Sequence, residues 1–366
     1  TTLTVSTPSQ VYTVDVVTLT AVLKTVDGSP ISGYSVAFWI SSDGVSWTYV
    51  GSSATNENGV ASITYKFWTS GRYYVKANFT DPGKQVGAWK YDDSESSTVT
   101  INVVKTPVNI DLTSNATKVY IGQTIQFTAV VNDVYGNPLP GVRVIVLYNN
   151  TVRYEFTTGS DGRVSWIDKY DAYTMYSVIV NYAGNETYSS SQSSMLTPEW
   201  KPLPTAISLT IETGQTVNIG DTVVLKAVIT DTVYNKPVSG YYINFWVSLD
   251  NGNTWSLIDS VVTDSNGFAQ VTYTIQSSVK HLFKANFTDP YKNVVGYWKY
   301  LDSESGIIPL QVGLVSTTLT LTANTTSTYV GEPVKLTAVL KTIDGSPVAG
   351  ARIDFYVYIN GNWVII

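Results

Sequence analysis

One arrangement recurs four times along the chain and constrains its fold more than any other feature. It is an alternating apolar run, a tight turn, and a second alternating run. The first copy sets Leu19, Ala21 and Leu23 on alternate positions, turns through Asp27-Gly28-Ser29-Pro30, closes at Gly33 and resumes with Val36, Phe38 and Ile40. The second runs from Phe127, Ala129 and Val131 past Pro138 and Gly141 to Val142, Val144 and Val146. The third joins Leu225, Ala227 and Ile229 to Ile243, Phe245 and Val247 through Pro237 and Gly240. The fourth joins Leu336, Ala338 and Leu340 to Ile353, Phe355 and Val357 through Pro347 and Gly350. A period of two buries one face of a strand. Glycine or asparagine at the reversal supplies the unusual φ, and the following proline fixes its own. These constraints describe a tandem all-β chain.

The closing glycines recur at roughly 100–110 residues, the size of a domain that owns its core and well beyond the 20–50 residues of a solenoid unit. The expected domains are residues 1–105, 106–200, 201–313 and 314–366. The fourth copy holds only the first strands of its repeat. An open half-sandwich exposes apolar surface and strand edges, so this copy is expected to belong to a longer chain or to be completed by a partner, for example by strand addition. The sequence has no cysteine, so no disulfide framework is available. It has no apolar run near the roughly 20 residues that span a bilayer, and no signal-peptide pattern, as befits a mature or excised segment. A net charge of −6 with 14% charged residues lacks the basic footprint of a nucleic-acid binder. Abundant hydroxyl side chains are left to keep the surface soluble, with attached sugars as a further means, and such a composition suits an acidic medium.

Finer signals separate the repeats. Asn58-Gly59 in the first and Asp161-Gly162 in the second mark further hairpin turns. Pro198, Pro202 and Pro204 indicate a stiff, extended connector after the second. The third repeats the first closely: Lys76-Ala77-Asn78-Phe79-Thr80-Asp81-Pro82 returns unchanged from Lys284 to Pro290. Gly87, Trp89, Lys90 and Tyr91 return as Gly296, Trp298, Lys299 and Tyr300. Asp-Ser-Glu-Ser follows at Asp93 and at Asp302. The second repeat lacks this insertion, and a long projecting hairpin is expected from the first and third.

The pattern of Leu19-Thr20-Ala21-Val22, Asp27-Gly28-Ser29-Pro30, Gly33, Phe38, Asn58-Gly59-Val60-Ala61 and Tyr74-Val75-Lys76-Ala77 resembles the immunoglobulin-like repeats of prokaryotic surface proteins. These include the invasin and intimin type and the repeats of archaeal filaments and surface layers. The resemblance covers all four copies. It implies a sandwich of about seven strands per repeat and no particular ligand. The Trp-containing insertion departs from the common repeat.

Catalysis has little to build on. His281, the single histidine, falls where Tyr73 stands in the first repeat, which points to ring packing rather than proton transfer. No Gly-rich phosphate loop and no Cys/His set with metal-ligand spacing occurs. Asp93, Glu95, Asp302 and Glu304 are candidate Ca2+ ligands, together with Asp81, Asp92 and Asp289, although Asp-Pro and Asp-Ser are also ordinary turn residues; no other cofactor is implied. Asn78, Asn115, Asn149, Asn185, Asn286 and Asn324 each begin an Asn-x-Ser/Thr triplet and are candidate glycosylation sites. With Phe38, Phe245 and Phe355 turned inward, alternation puts Trp39, Trp246 and Tyr356 on the opposite face. Together with Trp89 and Trp298 these are candidate contacts, cross-strand pairing being the alternative.

The resulting expectation is an extended rod of immunoglobulin-like β-sandwiches, extracellular, at the cell surface and without enzymatic activity. The main functional reading is a glycosylated, archaeal filament or surface layer that self-associates through like domains. The alternatives are an adhesin stalk, a glycan-binding module using Trp39 and Trp89, or a non-catalytic spacer of an exported enzyme. Glycans or other surface proteins are the further partners expected.

Overall fold

The computed structural model describes residues 1–83, 90–213 and 217–366. Trp89 therefore lies outside the described residues. The chain forms two compact units, Thr1–Lys201 and Pro202–Ile366.

Each of the first three repeats is a sandwich of two facing sheets, to which the second adds a small sheet of Lys118–Tyr120, Glu199–Lys201 and Thr174–Met175. In the first, Val16–Lys24 lies between Thr2–Ser6 and Val60–Lys66, antiparallel to both. The facing sheet is centred on Gly71–Phe79, flanked by Ser35–Ser41 and Val99–Val104, with Thr48–Ala54 and Gln10–Tyr12 outside them. Leu19, Ala21 and Leu23 meet Phe38, Val75, Ala77 and Phe79 between the sheets, all within 1% of full burial. Each large apolar side chain removed from water contributes about 1.5–3 kcal/mol. The second repeat places Thr124–Asp133 between Val108–Ser114 and Arg163–Lys169. The third places Thr222–Asp231 between Thr205–Glu212 and Phe268–Thr274. Their facing sheets are built on Arg143–Tyr148 and on Tyr242–Ser248. The fold is all-β, a series of immunoglobulin-like sandwiches. In the fourth copy, Thr317–Ala323 pairs with Leu336–Thr342, and Tyr356–Ile359 pairs with Asn362–Ile365. Leu336, Ala338 and Leu340 are only half-buried there, and Leu319 and Leu321 are exposed.

One glycine per sandwich explains why the Asn-Gly and Asp-Gly turns recur. At Gly59, with φ +73°, an added Cβ would stand 2.4 Å from the Leu23 carbonyl oxygen. Gly162 and Gly267 stand in the same relation to the carbonyls of Val131 and Ile229. In return, the Leu23, Val131 and Ile229 N–H groups donate to the carbonyls of Gly59, Gly162 and Gly267. The later turn is thereby locked onto the earlier hairpin, tying local sequence to sheet order.

Entry and exit lie at opposite poles of each sandwich. Thr2 enters opposite Lys24, beside the Asp27–Pro30 turn. The exit strand Val99–Val104 ends beside Tyr12, where the Thr13 N–H donates to the Val104 carbonyl. Between these poles runs Val16–Lys24, nine residues, or about 30 Å of strand. The same geometry holds in the second repeat, where Val108 lies opposite Asp133 and Ile121 N–H bonds the Lys201 carbonyl. It holds again in the third, with Thr205 opposite Asp231 and Gly313 N–H on the Val217 carbonyl.

The first two repeats, within one compact unit, meet in a specific joint. Buried Thr13 and Thr106 hydroxyls lie 3.0 Å apart, and the Thr13 hydroxyl donates to the Thr187 carbonyl at 2.5 Å. The Tyr135 hydroxyl donates to Asp15 at 2.6 Å, and the Tyr135 ring meets Tyr12 edge-on.

The expected projecting hairpin is corrected by the third repeat. Residues 290–300 form turns rather than a pair of strands, and the loop is tied down at its base. The Asp289 carboxylate accepts the N–H groups of Tyr291, Lys299 and Tyr300, while the Tyr300 ring packs edge-on against Tyr241 and Phe287 at the end of the core. Asp81 plays the corresponding part in the first repeat, accepting from Gly83, Lys90 and Tyr91. The Lys90 N–H is the largest cause holding the Asp81 carboxyl below its ordinary range.

Candidate functional site

The outward face of the larger sheet carries the chemistry that first and third repeats share. Alternation turns Trp39 and Trp246 away from the cores of Phe38 and Phe245. A register shift follows each phenylalanine, and a bulge of this kind re-aims the next side chain. Lys76 and Lys284, on the adjacent strand, each point their ammonium over a second indole, Trp47 at 4.5 Å and Trp255 at 4.6 Å. Each lysine also pairs with a glutamate, Lys76 with Glu95 at 2.9 Å and Lys284 with Glu304 at 3.0 Å. The Trp246 Nε1–H donates to the Asn286 side-chain carbonyl at 2.6 Å. In the first repeat the matching atoms, Trp39 Nε1 and Asn78 Oδ1, are buried without a partner, while the Asn78 amide nitrogen donates to Glu95. Trp39 packs instead edge-on against Tyr49. Cross-strand pairing and aromatic exposure thus coexist on this face.

Trp298 is half-buried and donates its Nε1–H to the Tyr300 carbonyl at 2.6 Å. It folds back over its own loop. The acidic residues are dispersed: Glu95 and Glu304 are held by their lysines, Asp302 by Lys292 at 2.7 Å, and Asp93 is exposed. Among the described residues, no group of three or more His, Cys, Asp or Glu comes together.

The sequon asparagines brace the backbone or the aromatic face. Asn115 and Asn324 accept the N–H groups of Gln126 and Lys335. Asn149, at φ 47°, accepts from Ser177, and Asn185 accepts from Thr187 and Tyr188. Asn78 and Asn286 lie half-buried on the tryptophan face.

His281 is fully buried, with Nδ1 2.8 Å from the Val279 carbonyl and Nε2 without a partner. Its ring stacks on Phe283 and meets Tyr273 edge-on, as expected of a packing residue. A second polar group inside a sandwich, Asp168, accepts hydrogen bonds from Tyr148 and Tyr154, and Trp166 Nε1–H donates to the Tyr148 hydroxyl at 3.0 Å. Burial, followed by the bond to Asp168, pushes the Tyr148 hydroxyl well above the ordinary phenol range. Arg153 extends the network outward, its guanidinium 5.7 Å from the Tyr154 ring centre.

Sequence reasoning missed part of the third repeat's outward face. Tyr242 and Asn244 precede Trp246 on the same face, and Tyr291 begins the loop after Pro290. Together with Gly240, Tyr241, Ser260 and Thr288 they line a hollow of 760 Å³. A second hollow, of 200 Å³, is lined by Trp246, Trp255, Lys284, Asn286 and Glu304. The alternation Tyr242, Asn244, Trp246 was the available signal.

No family model matches the chain. It is 25% identical over 358 residues to the inverse autotransporter adhesin YeeJ of Escherichia coli K12, covering 92% of this chain and 14% of that protein. The chain thus spans about one seventh of that relative's length. Among solved structures, it is similar to a tetra-tandem repeat in the extending region of a large adhesion protein, at 14% identity and a TM-score of 0.32, covering 100% of this chain and 97% of that one. It is similar also to invasin, a bacterial integrin-binding protein, at 18% identity and a TM-score of 0.37, covering 88% of this chain and 62% of that one.

Proposed function

We propose that this chain is a stalk segment of a bacterial cell-surface adhesin, a row of non-enzymatic sandwiches that holds a binding region away from the cell. The observation that carries the reading is the placement of entry and exit at opposite poles of the first, second and third sandwiches. A repeat built this way adds its own length to the chain, whereas adjacent poles would fold the chain back. The joint at Thr13, Thr106 and Tyr135 supports it, since hydrogen bonds across a linker restrict bending. Similarity to an adhesin along most of the chain agrees, and this bacterial relative favours the stalk over the archaeal filament or surface layer. Electron microscopy of the isolated chain tests the proposal. The expected particle is several-fold longer than wide, each complete repeat contributing roughly 30–45 Å. A compact particle of similar dimensions along every axis overturns it.

A further inference from the structure

We infer that the outward sheet face of the third repeat is a binding cleft for a neutral oligosaccharide. The inference does not depend on the stalk reading, because a spacer or a filament subunit would carry the same face.

Aromatic rings stand at both ends of the cleft. Tyr242 and Tyr291 are 62% and 49% exposed, and they wall the 760 Å³ hollow. Trp246 and Trp255 stand at the other end, around the 200 Å³ hollow. Between them lies an amide floor, because Asn244 and Asn286 are direct cross-strand partners. Their side-chain carbonyls are already used, Asn244 accepting from the Ser260 hydroxyl at 2.6 Å and Asn286 from Trp246 Nε1 at 2.6 Å. These bonds orient the two amides; among the described residues neither NH₂ group has a hydrogen-bond partner, and neither is among the buried polar atoms left unpartnered. Each NH₂ carries two donors.

A row of rings, Tyr242 and Tyr291 exposed at one end and half-buried Trp246 and Trp255 at the other, with Lys284 over the Trp255 face and fixed donors between, suits a ligand with apolar C–H faces and hydroxyl acceptors, which is the chemistry of a sugar chain. A ligand pocket of this kind is mostly apolar, with a few placed polar groups that set orientation. Charge argues for neutrality, because Lys284 is paired with Glu304 and Lys292 with Asp302. The strand that carries Tyr242, Asn244 and Trp246 offers no edge to an extended peptide, since Tyr242–Ser248 is hydrogen-bonded on both sides, to Ser256–Val262 and to His281–Phe287; the open edge of the sheet is the far side of Ser256–Val262.

The first repeat supplies an internal control. It keeps Trp39, Trp47, Lys76, Asn78 and Glu95, but has Ser35, Ala37 and Gly83 where the third has Tyr242, Asn244 and Tyr291. The exchange Tyr242→Ser with Asn244→Ala therefore installs the residues that the matching strand of the first repeat carries.

The experiment titrates cellohexaose, chitohexaose and mannohexaose separately into the full chain, read by calorimetry and by tryptophan fluorescence. At least one is expected to bind and to perturb the indole emission. Tyr242→Ser/Asn244→Ala is expected to weaken that binding at least about tenfold, while the far-ultraviolet circular dichroism and melting profile stay unchanged. Should the double variant fail to fold, Tyr291→Gly, in the loop, reads the same cleft. Absence of binding by all three sugars overturns the inference, as does binding of unchanged affinity in a folded variant.

Discussion

The joint between the first two repeats gives the sharpest prediction, because its bonds lie outside both cores. Thr106→Val removes the hydroxyl that lies 3.0 Å from Thr13. The Thr106 N–H still donates to the Thr187 carbonyl, and Thr13 still donates to that same oxygen. The loss is one neutral hydrogen bond, about 1 kcal/mol. Tyr135→Phe removes the bond to Asp15 but keeps the ring contact with Tyr12. Asp15 retains the Tyr12 N–H at 2.7 Å; Tyr135 is 56% exposed, so this loss is about 0.5–1 kcal/mol. The double variant weakens docking by about 1.5–2 kcal/mol, a ten- to thirtyfold rise in the undocked population. Nitrogen-15 relaxation reads this directly: the two repeats should tumble together in the parent chain and acquire separate correlation times in the double variant, with each sandwich equally stable. Unchanged relaxation would show that the linker backbone, rather than these side chains, holds the joint. A drop in the stability of either sandwich would place the bonds in a core and refute the argument.

Two further outcomes follow from local geometry. Gly162→Ala forces a Cβ to within 2.6 Å of the Val131 carbonyl oxygen at φ +71°, whereas Gly136→Ala at φ +86° meets nothing within 4 Å. The second change costs about 1–2 kcal/mol for backbone conformation alone, the first clearly more, and hydrogen exchange of the Phe127–Val131 amides should show the difference; equal effects would exclude the carbonyl contact as the reason for glycine. Alkaline pH should destabilise the third repeat, because burial, then Asp289, raises the Tyr241 hydroxyl to about 12. The folded state holds that proton above the unfolded phenol value near 10, so the stability is complete below about pH 10 and falls, by roughly 2 kcal/mol once solvent screening of this partly exposed ring is allowed for, as pH rises to about 12. Tyr241→Phe should flatten the decline in urea midpoint between those limits, and an unflattened decline would assign it to other tyrosines.

The fold was legible because alternation and turn chemistry are local. Leu19, Ala21 and Leu23 announce a half-buried strand before any partner is known, and all three are fully buried. What local pattern could not supply is the partner of a side chain. Asp289 reads as a turn residue beside a proline, yet three N–H groups converge on it from Tyr291, Lys299 and Tyr300. The loop it organises therefore folds down instead of projecting. The carboxylates proposed for Ca2+ met the same difficulty: the lysines that hold Glu95 and Glu304 are 19 and 20 residues away in sequence. The tryptophan face was half legible. Period two put Trp246 outside, while recognising the cleft required knowing that Asn244 faces Asn286 across the strands.

The division of labour within a sandwich follows from its poles. In the first repeat the exit pole is taken by Thr13, Asp15 and the end of Val99–Val104, all committed to the joint. The core face is committed to Phe38 and its neighbours. The outward face of the larger sheet belongs to neither, and there the first and third repeats share the tryptophan, lysine and asparagine positions but diverge at the start of the strand, Ser35 and Ala37 against Tyr242 and Asn244. Their core and turn residues, by contrast, match at Phe38 and Phe245, Gly59 and Gly267, Asp81 and Asp289. A repeat of this kind can thus carry a ligand on its flank, since Tyr242, Asn244 and Trp246 alternate with the core residues Ile243, Phe245 and Val247 on one strand.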